Sequence, residues 1–195
     1  KKKIYGYKNK LQAEKKIIFE IKKNNIGLIC LAGFMKILSK NFIKDSPICL
    51  ILGDNIYHGN NLSSILKEAD KDKENSTVFT YQVKDPERFG VLNLDKKGIP
   101  VKIVEKPKAP KSNLAITGLY FFPKDVVFRA KNLKPSKRGE LEITDLNQSY
   151  LTDKKLKVKI LNRGFTWMDT GTFDSLLEAS NFISLVQNRQ NTIVA

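Results

Sequence analysis

The sequence predicts an α/β protein with a mixed sheet, helices on both faces and a β-hairpin inserted into it. Three observations carry that reading. Apolar runs of strand length alternate with helical periodicities along the chain. The run Ile48-Cys49-Leu50-Ile51-Leu52-Gly53 delivers a carboxylate, Asp54, to what reads as the tip of a buried strand, where α/β proteins place their chemistry. Two short β-prone runs, Val91 to Leu94 and Val101 to Val104, flank the turn signal Asp95-Lys96-Lys97-Gly98 and read as the hairpin.

Taken in order, the chain opens with a helix near residues 10 to 24, where Leu11, Ile17, Ile18 and Ile21 recur at helical spacing before the break at Asn24-Asn25. Ile26 to Ala32 reads as a short strand bounded by Gly33, and Ser39 could cap a short helix over Lys40 to Lys44. After the strand ending at Asp54 come a helix at Leu62 to Lys71 and a strand at Thr77 to Val83. Beyond the hairpin, Ala115 to Phe122 is a strand, Lys124 to Ala130 and Glu142 to Leu151 are helices, and Leu156 to Leu161 is a strand. Phe173 to Asn188 closes the series as a helix with an apolar face.

Composition narrows the function. The 195 residues suit one domain of ordinary size with a real core. No stretch approaches the roughly 20 apolar residues of a membrane span, and the lysine-rich start lacks the apolar segment of a signal peptide, so the expected location is cytoplasmic. Cys30 and Cys49 lie in apolar runs as small core residues, and His58, the single histidine, reads as a loop imidazole; no transition-metal cluster follows. The formal charge of +15 invites a nucleic-acid partner, but its distribution argues against one. Residues 1 to 47 carry 12 Lys against 3 acids, the remainder 23 basic residues against 17 acids, and the lysines are scattered along predicted helix faces and not gathered into a binding stripe.

Candidate chemistry gathers around carboxylates, cations and glycines. Gly164 to Thr172 presents Asp169 among Trp167, Gly164 and Gly171, and two aspartates such as Asp54 and Asp169 could share one hard cation. Singly, Asp54 could end a strand and Asp169 could cap the helix starting near Thr172. Phe89-Gly90 places a glycine before a strand, where a ligand could approach the backbone. Glu105-Lys106-Pro107 ends another strand with an acid suited to sugar hydroxyls and a base suited to an anion, or with a solvated charge pair.

From about residue 46 the chain resembles the glucose-1-phosphate thymidylyltransferases, a family of sugar nucleotidyltransferases. The resemblance rests on Leu50 to Tyr57, Tyr81 to Val91, Glu105-Lys106-Pro107, Pro110 to Asn113, Thr117 to Tyr120, Arg138 to Asp145 and Trp167 to Thr172, in the family's order and spacing. It implies a Rossmann-like mixed sheet with an inserted hairpin, and Mg2+ held by Asp54 and Asp169. By the same resemblance Phe89 and Gly90 line the sugar pocket, Glu105 holds glucose hydroxyls, Lys106 and Arg138 meet the sugar phosphate as catalytic cations, and Ile116, Tyr120 and Trp167 form pocket walls. Phe89 and Ile116 depart conservatively from the commonest family residues. The implied reaction is attack of glucose 1-phosphate on the α-phosphorus of dTTP, yielding dTDP-glucose and pyrophosphate for dTDP-sugar synthesis, including dTDP-rhamnose. A homotetramer is the family's assembly.

Residues 1 to 45 resemble a different family, the glycinamide ribonucleotide formyltransferases, through Leu28 to Ser39. None of that family's catalytic residues is carried over, and His58 is not in its context. The expected organisation is therefore a formyltransferase-like fragment at 1–45, joined near residues 40 to 47 to a nucleotidyltransferase domain at 46–195. That domain would lack its family's glycine-rich nucleotide loop and its C-terminal elements. The corresponding expectation for function is nucleotidyl transfer, impaired and with weakened assembly, or a remnant that binds sugar phosphate or sugar nucleotide weakly without turnover.

Overall fold

The computed structural model of the protein describes residues 10–24, 46–136 and 139–191. The chain divides into two compact units, Lys1–Ser46 and Pro47–Ala195. In the first, the described part is helix α1, Lys10–Lys23, which places Lys22 and Lys23 in its last turn, where they complement the helix dipole. It closes at Asn24, whose backbone and side-chain N–H groups both donate to the Glu20 carbonyl, at 3.0 and 2.8 Å. The expected strand at Ile26 to Ala32, the short helix at Lys40 to Lys44, Cys30 and the formyltransferase-like run Leu28 to Ser39 lie outside the described residues.

The second unit contains strands β1 (Ile48–Ile51), β2 (Asn55–Gly59), β3 (Ser76–Gln82), β4 (Gly90–Leu94), β5 (Pro100–Glu105), β6 (Leu114–Phe122), β7 (Leu156–Leu161) and β8 (Phe165–Asp169). Among the described residues its helices are α2 (Leu62–Lys71), α3 (Val126–Lys131), α4 (Ile143–Thr152) and α5 (Phe173–Gln190), with a 3-10 turn at Pro86–Arg88. The main sheet runs β5-β4-β6-β3-β7, with β1 also paired to β6. β3 and β7 are parallel and the other pairs antiparallel, which makes the sheet mixed as expected.

Both faces of the interior strand β3 are covered. Val78 packs with Leu146 and Tyr150 of α4, while its neighbour Phe79 packs with Ala69 of α2, and both are fully buried. Successive strand residues point to opposite faces, so one helix on each side is required to bury them. α2 meets that need with Leu62, Ile65, Leu66 and Ala69 on one stripe, and Lys159 of β7 pairs with its Glu68 at 3.0 Å. α4 is tied to the hairpin by Gln148, whose Oε1 accepts the Ile103 N–H at 2.8 Å. The hairpin forms as expected, with Val91 opposite Val104 and Leu92 opposite Ile103, and a register shift after Asn93 sets Leu94 opposite Pro100. Its turn is fixed by Asp95, which accepts from the N–H groups of Lys97 and Ile99, and by Gly98 at φ 78°.

Three local expectations change. β1 is not a buried strand: its Leu50 and Ile51 are 37 and 55% exposed, and Leu52 just after it is 39% exposed. Cys49, on the same strand, is exposed and is no core residue. His58 lies on strand β2 opposite Thr166, with its ring edge-on to Phe182 at 5.5 Å, and so is not a loop imidazole. No helix among the described residues is long and apolar enough to cross a membrane.

Candidate active site

The two carboxylates singled out in the sequence are brought together by a strand pair that periodicity does not reveal. The β1 ladder continues through the Leu52 N–H, which donates to Gly118 of β6 at 2.8 Å, and the chain then turns through Gly53 and Asp54 into β2. β2 pairs antiparallel with β8, Asn55 opposite Asp169 and Tyr57 opposite Trp167. Beyond that ladder the Asp54 carbonyl accepts from the Thr170 backbone N–H at 2.8 Å and from the Thr170 hydroxyl at 2.9 Å. Asp169 Oδ1 accepts the Gly171 N–H at 2.8 Å. A methyl group on Gly171 would stand 2.8 Å from Asp169 Oδ1 and 3.9 Å from Asp54 Oδ2, so one small backbone hollow is shared by both carboxylates.

Asn55 ties this pair to the rest of the site. Its Nδ2 donates to Asp54 Oδ1 at 2.8 Å, while its Oδ1 accepts from the Gly118 N–H at 3.1 Å and from the Trp167 indole N–H at 2.6 Å. Gly118 is required there, since a Cβ would lie 2.8 Å from both Asn55 Oδ1 and Leu52 Cβ. Trp167 is buried, with its ring edge-on to Phe89 at 5.1 Å and to Tyr81 at 6.1 Å.

The second half of the site is built where the hairpin returns. Gly90 stands opposite Glu105 across β4 and β5, and a Cβ on Gly90 would lie 3.0 Å from the Thr144 hydroxyl and 3.3 Å from Glu105 Oε2. That hydroxyl, on the buried Thr144 in the first turn of α4, donates to Glu105 Oε2. Lys106 follows in the left-handed region at φ 40°, its N–H donating to the Phe89 carbonyl at 3.0 Å. For a lysine this backbone costs about 1–2 kcal/mol, and Pro107 after it disfavours the ordinary helical alternative.

Between the halves lies a cleft of about 380 Å³ lined by Arg88, Phe89, Lys106, Asp169, Gly171 and Thr172. Arg88 lies over the Phe89 ring, its guanidinium carbon 5.3 Å from the centroid, and pairs with Asp85 at 2.8 Å. Thr172 caps α5: its hydroxyl accepts the Ser175 N–H and the Ser175 hydroxyl accepts the Thr172 N–H. The helix cap is therefore Thr172, while Asp169 faces the cleft. A groove of similar volume between β2 and α5, lined by Ile56, Leu176 and Ile183 among others, holds no charged side chain.

Of the residues expected at the site, Phe89, Lys106 and Asp169 line this cleft, Gly90 and Glu105 adjoin it through Phe89 and Lys106, and Asp54 and Trp167 adjoin it through Gly171 and Phe89. Ile116 and Tyr120 sit deeper, in the core that includes Leu146 and Tyr150, and burial pushes the Tyr120 phenol well above its ordinary pKa. Arg138 lies outside the described residues. Sequence reasoning passed over Asn55, Arg88 and Thr144, although each stands inside a motif it quoted. For Asn55 a polar residue directly beside the candidate acid Asp54 was the available signal; Arg88 and Thr144 carried none of that kind.

Among the described residues no group of three or more His, Cys, Asp or Glu is placed to hold a metal. A pair of hard carboxylates suits Mg2+ instead, which is bound through one or two carboxylates with substrate phosphate oxygens and water completing its shell.

The nucleotidyl transferase family model matches residues 5–185. The match begins in the first unit and runs through residues 40 to 47, so the formyltransferase resemblance of residues 1 to 45 finds no support. A glucose-1-phosphate thymidylyltransferase of Neisseria meningitidis is 52% identical over 82% of this chain and 55% of its own length. That of Xanthomonas campestris pv. campestris is 50% identical over 79% of this chain and 52% of its own. The chain thus spans about half the length of the curated relatives it matches. A solved structure from Bacillus anthracis, described as a glucose-1-phosphate thymidylyltransferase in complex with sucrose, superposes at TM-score 0.64 with 40% identity over 73% of this chain and 56% of that one. An apo UDP-glucose pyrophosphorylase, 21% identical, matches in fold alone at TM-score 0.62 over 95% of this chain and 76% of its own. By motif, fold and relatives alike, the chain belongs to the nucleotidyl transferase family.

Proposed function

We propose that the protein takes part in nucleotidyl transfer to a sugar 1-phosphate, with glucose 1-phosphate and dTTP as substrates and dTDP-glucose and pyrophosphate as products. The observation that carries this reading is the placement of Asp54 and Asp169 around the hollow at Gly171, beside a cleft lined by Arg88 and Lys106. The names of the relatives support the choice of substrates.

Asp54 and Asp169 would hold Mg2+, whose contribution when bound is to neutralise charge on phosphate oxygens. Lys106 and Arg88 bring positive charge to the same cleft, suited to the sugar phosphate and to the pyrophosphate that leaves. Glu105, oriented by the Thr144 hydroxyl, accepts hydrogen bonds from sugar hydroxyls, and Gly90 leaves the space beside it that a side chain would fill. Trp167 and Phe89 form an apolar wall that excludes water on one side. The phosphate oxygen of the sugar attacks the α-phosphorus in line, the bond to the leaving pyrophosphate breaks, and no covalent enzyme intermediate is needed.

Release of pyrophosphate from dTTP and glucose 1-phosphate with Mg2+, compared with UTP and with Asp54→Asn, tests this. Turnover with dTTP that falls in the variant supports it. Binding of sugar phosphate with no release of pyrophosphate would leave a binding protein in its place.

A further inference from the structure

Asn55 has a side chain whose orientation is chemically forced. Two N–H groups, from Gly118 at 3.1 Å and Trp167 at 2.6 Å, converge on its Oδ1, and neither can be satisfied by an amide nitrogen. The same rotamer then has to direct Nδ2 at an acceptor, which is Asp54 Oδ1 at 2.8 Å. All three contacts agree on one orientation and all three fail in the flipped one. A hydrogen bond to an ionised carboxylate is among the stronger ones, and it resists rotation of that carboxylate. With Oδ1 engaged by Asn55, the other oxygen, Oδ2, is the one that lies toward Gly171, in the hollow whose far side is Asp169 Oδ1.

We infer that Asn55 is a positioning residue: it holds the Asp54 carboxylate with Oδ2 toward Asp169 and couples that orientation to the indole of Trp167. The inference rests on the proposed metal role of Asp54 and Asp169. Partners that orient a ligating carboxylate commonly matter about 10- to 100-fold in metal affinity. Here one amide joins three parts of the fold: the β1–β2 turn that carries Asp54, the close approach of β6 at Gly118, and strand β8 that carries Trp167. A shift of the Trp167 ring therefore reaches Asp54 through one side chain. The reverse holds as well, since linkage between two sites is reciprocal.

Binding of Mn2+ alone, followed by electron paramagnetic resonance of the free ion, tests this without turnover. Asn55→Ala is expected to weaken Mn2+ binding by about 10-fold. It is also expected to shift the emission of Trp167, the single tryptophan of the chain. Trp167→Phe keeps an aromatic ring against Phe89 and touches neither carboxylate, yet it removes one of the two donors that orient Asn55. It is expected to weaken Mn2+ in the same direction by a smaller factor, and the double variant to be no weaker than Asn55→Ala alone. Mn2+ binding unchanged in Asn55→Ala, with the variant folded by circular dichroism, would overturn the inference and leave the metal reading standing. Unchanged binding in Trp167→Phe would overturn it too, and decides the matter should Asn55→Ala not fold. A parent chain that takes up no Mn2+ would overturn both.

Discussion

The indole N–H of Trp167 donates to the Asn55 side-chain oxygen at 2.6 Å, across 112 positions of sequence. The same amide donates to Asp54, so the aromatic residue behind Phe89 and a candidate metal ligand meet at one residue. Because Tyr57 stands opposite Trp167 and Asn55 opposite Asp169 in the β2–β8 ladder, this short strand pair sets the geometry of the carboxylate half of the candidate site.

Removing either carboxylate should sharply reduce the proposed metal-dependent reaction while sparing the fold. Asp54 is exposed and Asp169 half-buried, and neither supports a core cluster. Asp54→Asn and Asp169→Asn should each reduce pyrophosphate release by about 100-fold or more. Unchanged melting temperatures, read by circular dichroism, would place that loss in the chemistry.

Gly171 and Gly118 should fail in different ways. Gly171→Ala places a methyl 2.8 Å from Asp169 Oδ1 at an exposed position, so it should displace the carboxylate and cost about 10- to 100-fold in rate with little change in stability. Gly118→Ala drives a methyl into Asn55 and Leu52 at 2.8 Å from central strand β6, and should destabilise the protein by about 1–3 kcal/mol. Chemical denaturation beside steady-state kinetics separates the two.

Thr144→Val should act on the sugar side. It deletes the donor to Glu105 Oε2 with almost no change of volume. A hydrogen bond to a charged group contributes about 1.5–3 kcal/mol, so KM for glucose 1-phosphate should rise by about 10-fold or more while the requirement for Mg2+ stays the same. An effect confined to the Mg2+ requirement would refute the role given to Glu105.

Lys106 offers a test in which stability and function part. Lys106→Ala and Lys106→Gly both remove the cation and should raise KM alike. At φ 40° glycine carries no steric penalty, so the Gly variant should be the more stable by about 1 kcal/mol, measured by urea denaturation.

Asp72 should make stability depend on acid. The Lys157 ammonium beside it, joined by the Asn75 side chain and the backbone N–H groups of Asn75 and Glu74, outweighs its burial and holds its carboxyl well below the usual carboxylate range. A depressed folded pKa contributes stability that is fully present above the ordinary value, about 3.9, and is lost as pH falls through the folded value. Asp72→Asn should therefore lower the melting temperature by about 2–4 °C at pH 7, and the gap should close in strong acid.

Most of the elements were legible in the sequence because their cause is local. α2 and the hairpin follow from apolar spacing and turn residues, and β7 spans Leu156–Leu161 as read. β2 and β8 were not, since Asn55-Ile56-Tyr57-His58-Gly59 alternates no apolar face and its pairing partner lies more than a hundred residues away. The exposure of β1 was equally hidden, because an apolar run records only a capacity for burial and not what arrives to cover it.

The sequence by itself determined the fold class and the family, and it named the candidate site residues Asp54 and Asp169, Gly90, Glu105 and Lys106, each by a short motif whose chemistry is local. The tertiary structure alone decided how they meet. Antiparallel pairing of β2 with β8 brings the two aspartates to one hollow at Gly171, and the Asn55 amide turns one of them toward the other. Motifs specify which groups are present, but the direction of a carboxylate depends on hydrogen bonds from Gly118 and Trp167 that only long-range strand pairing supplies.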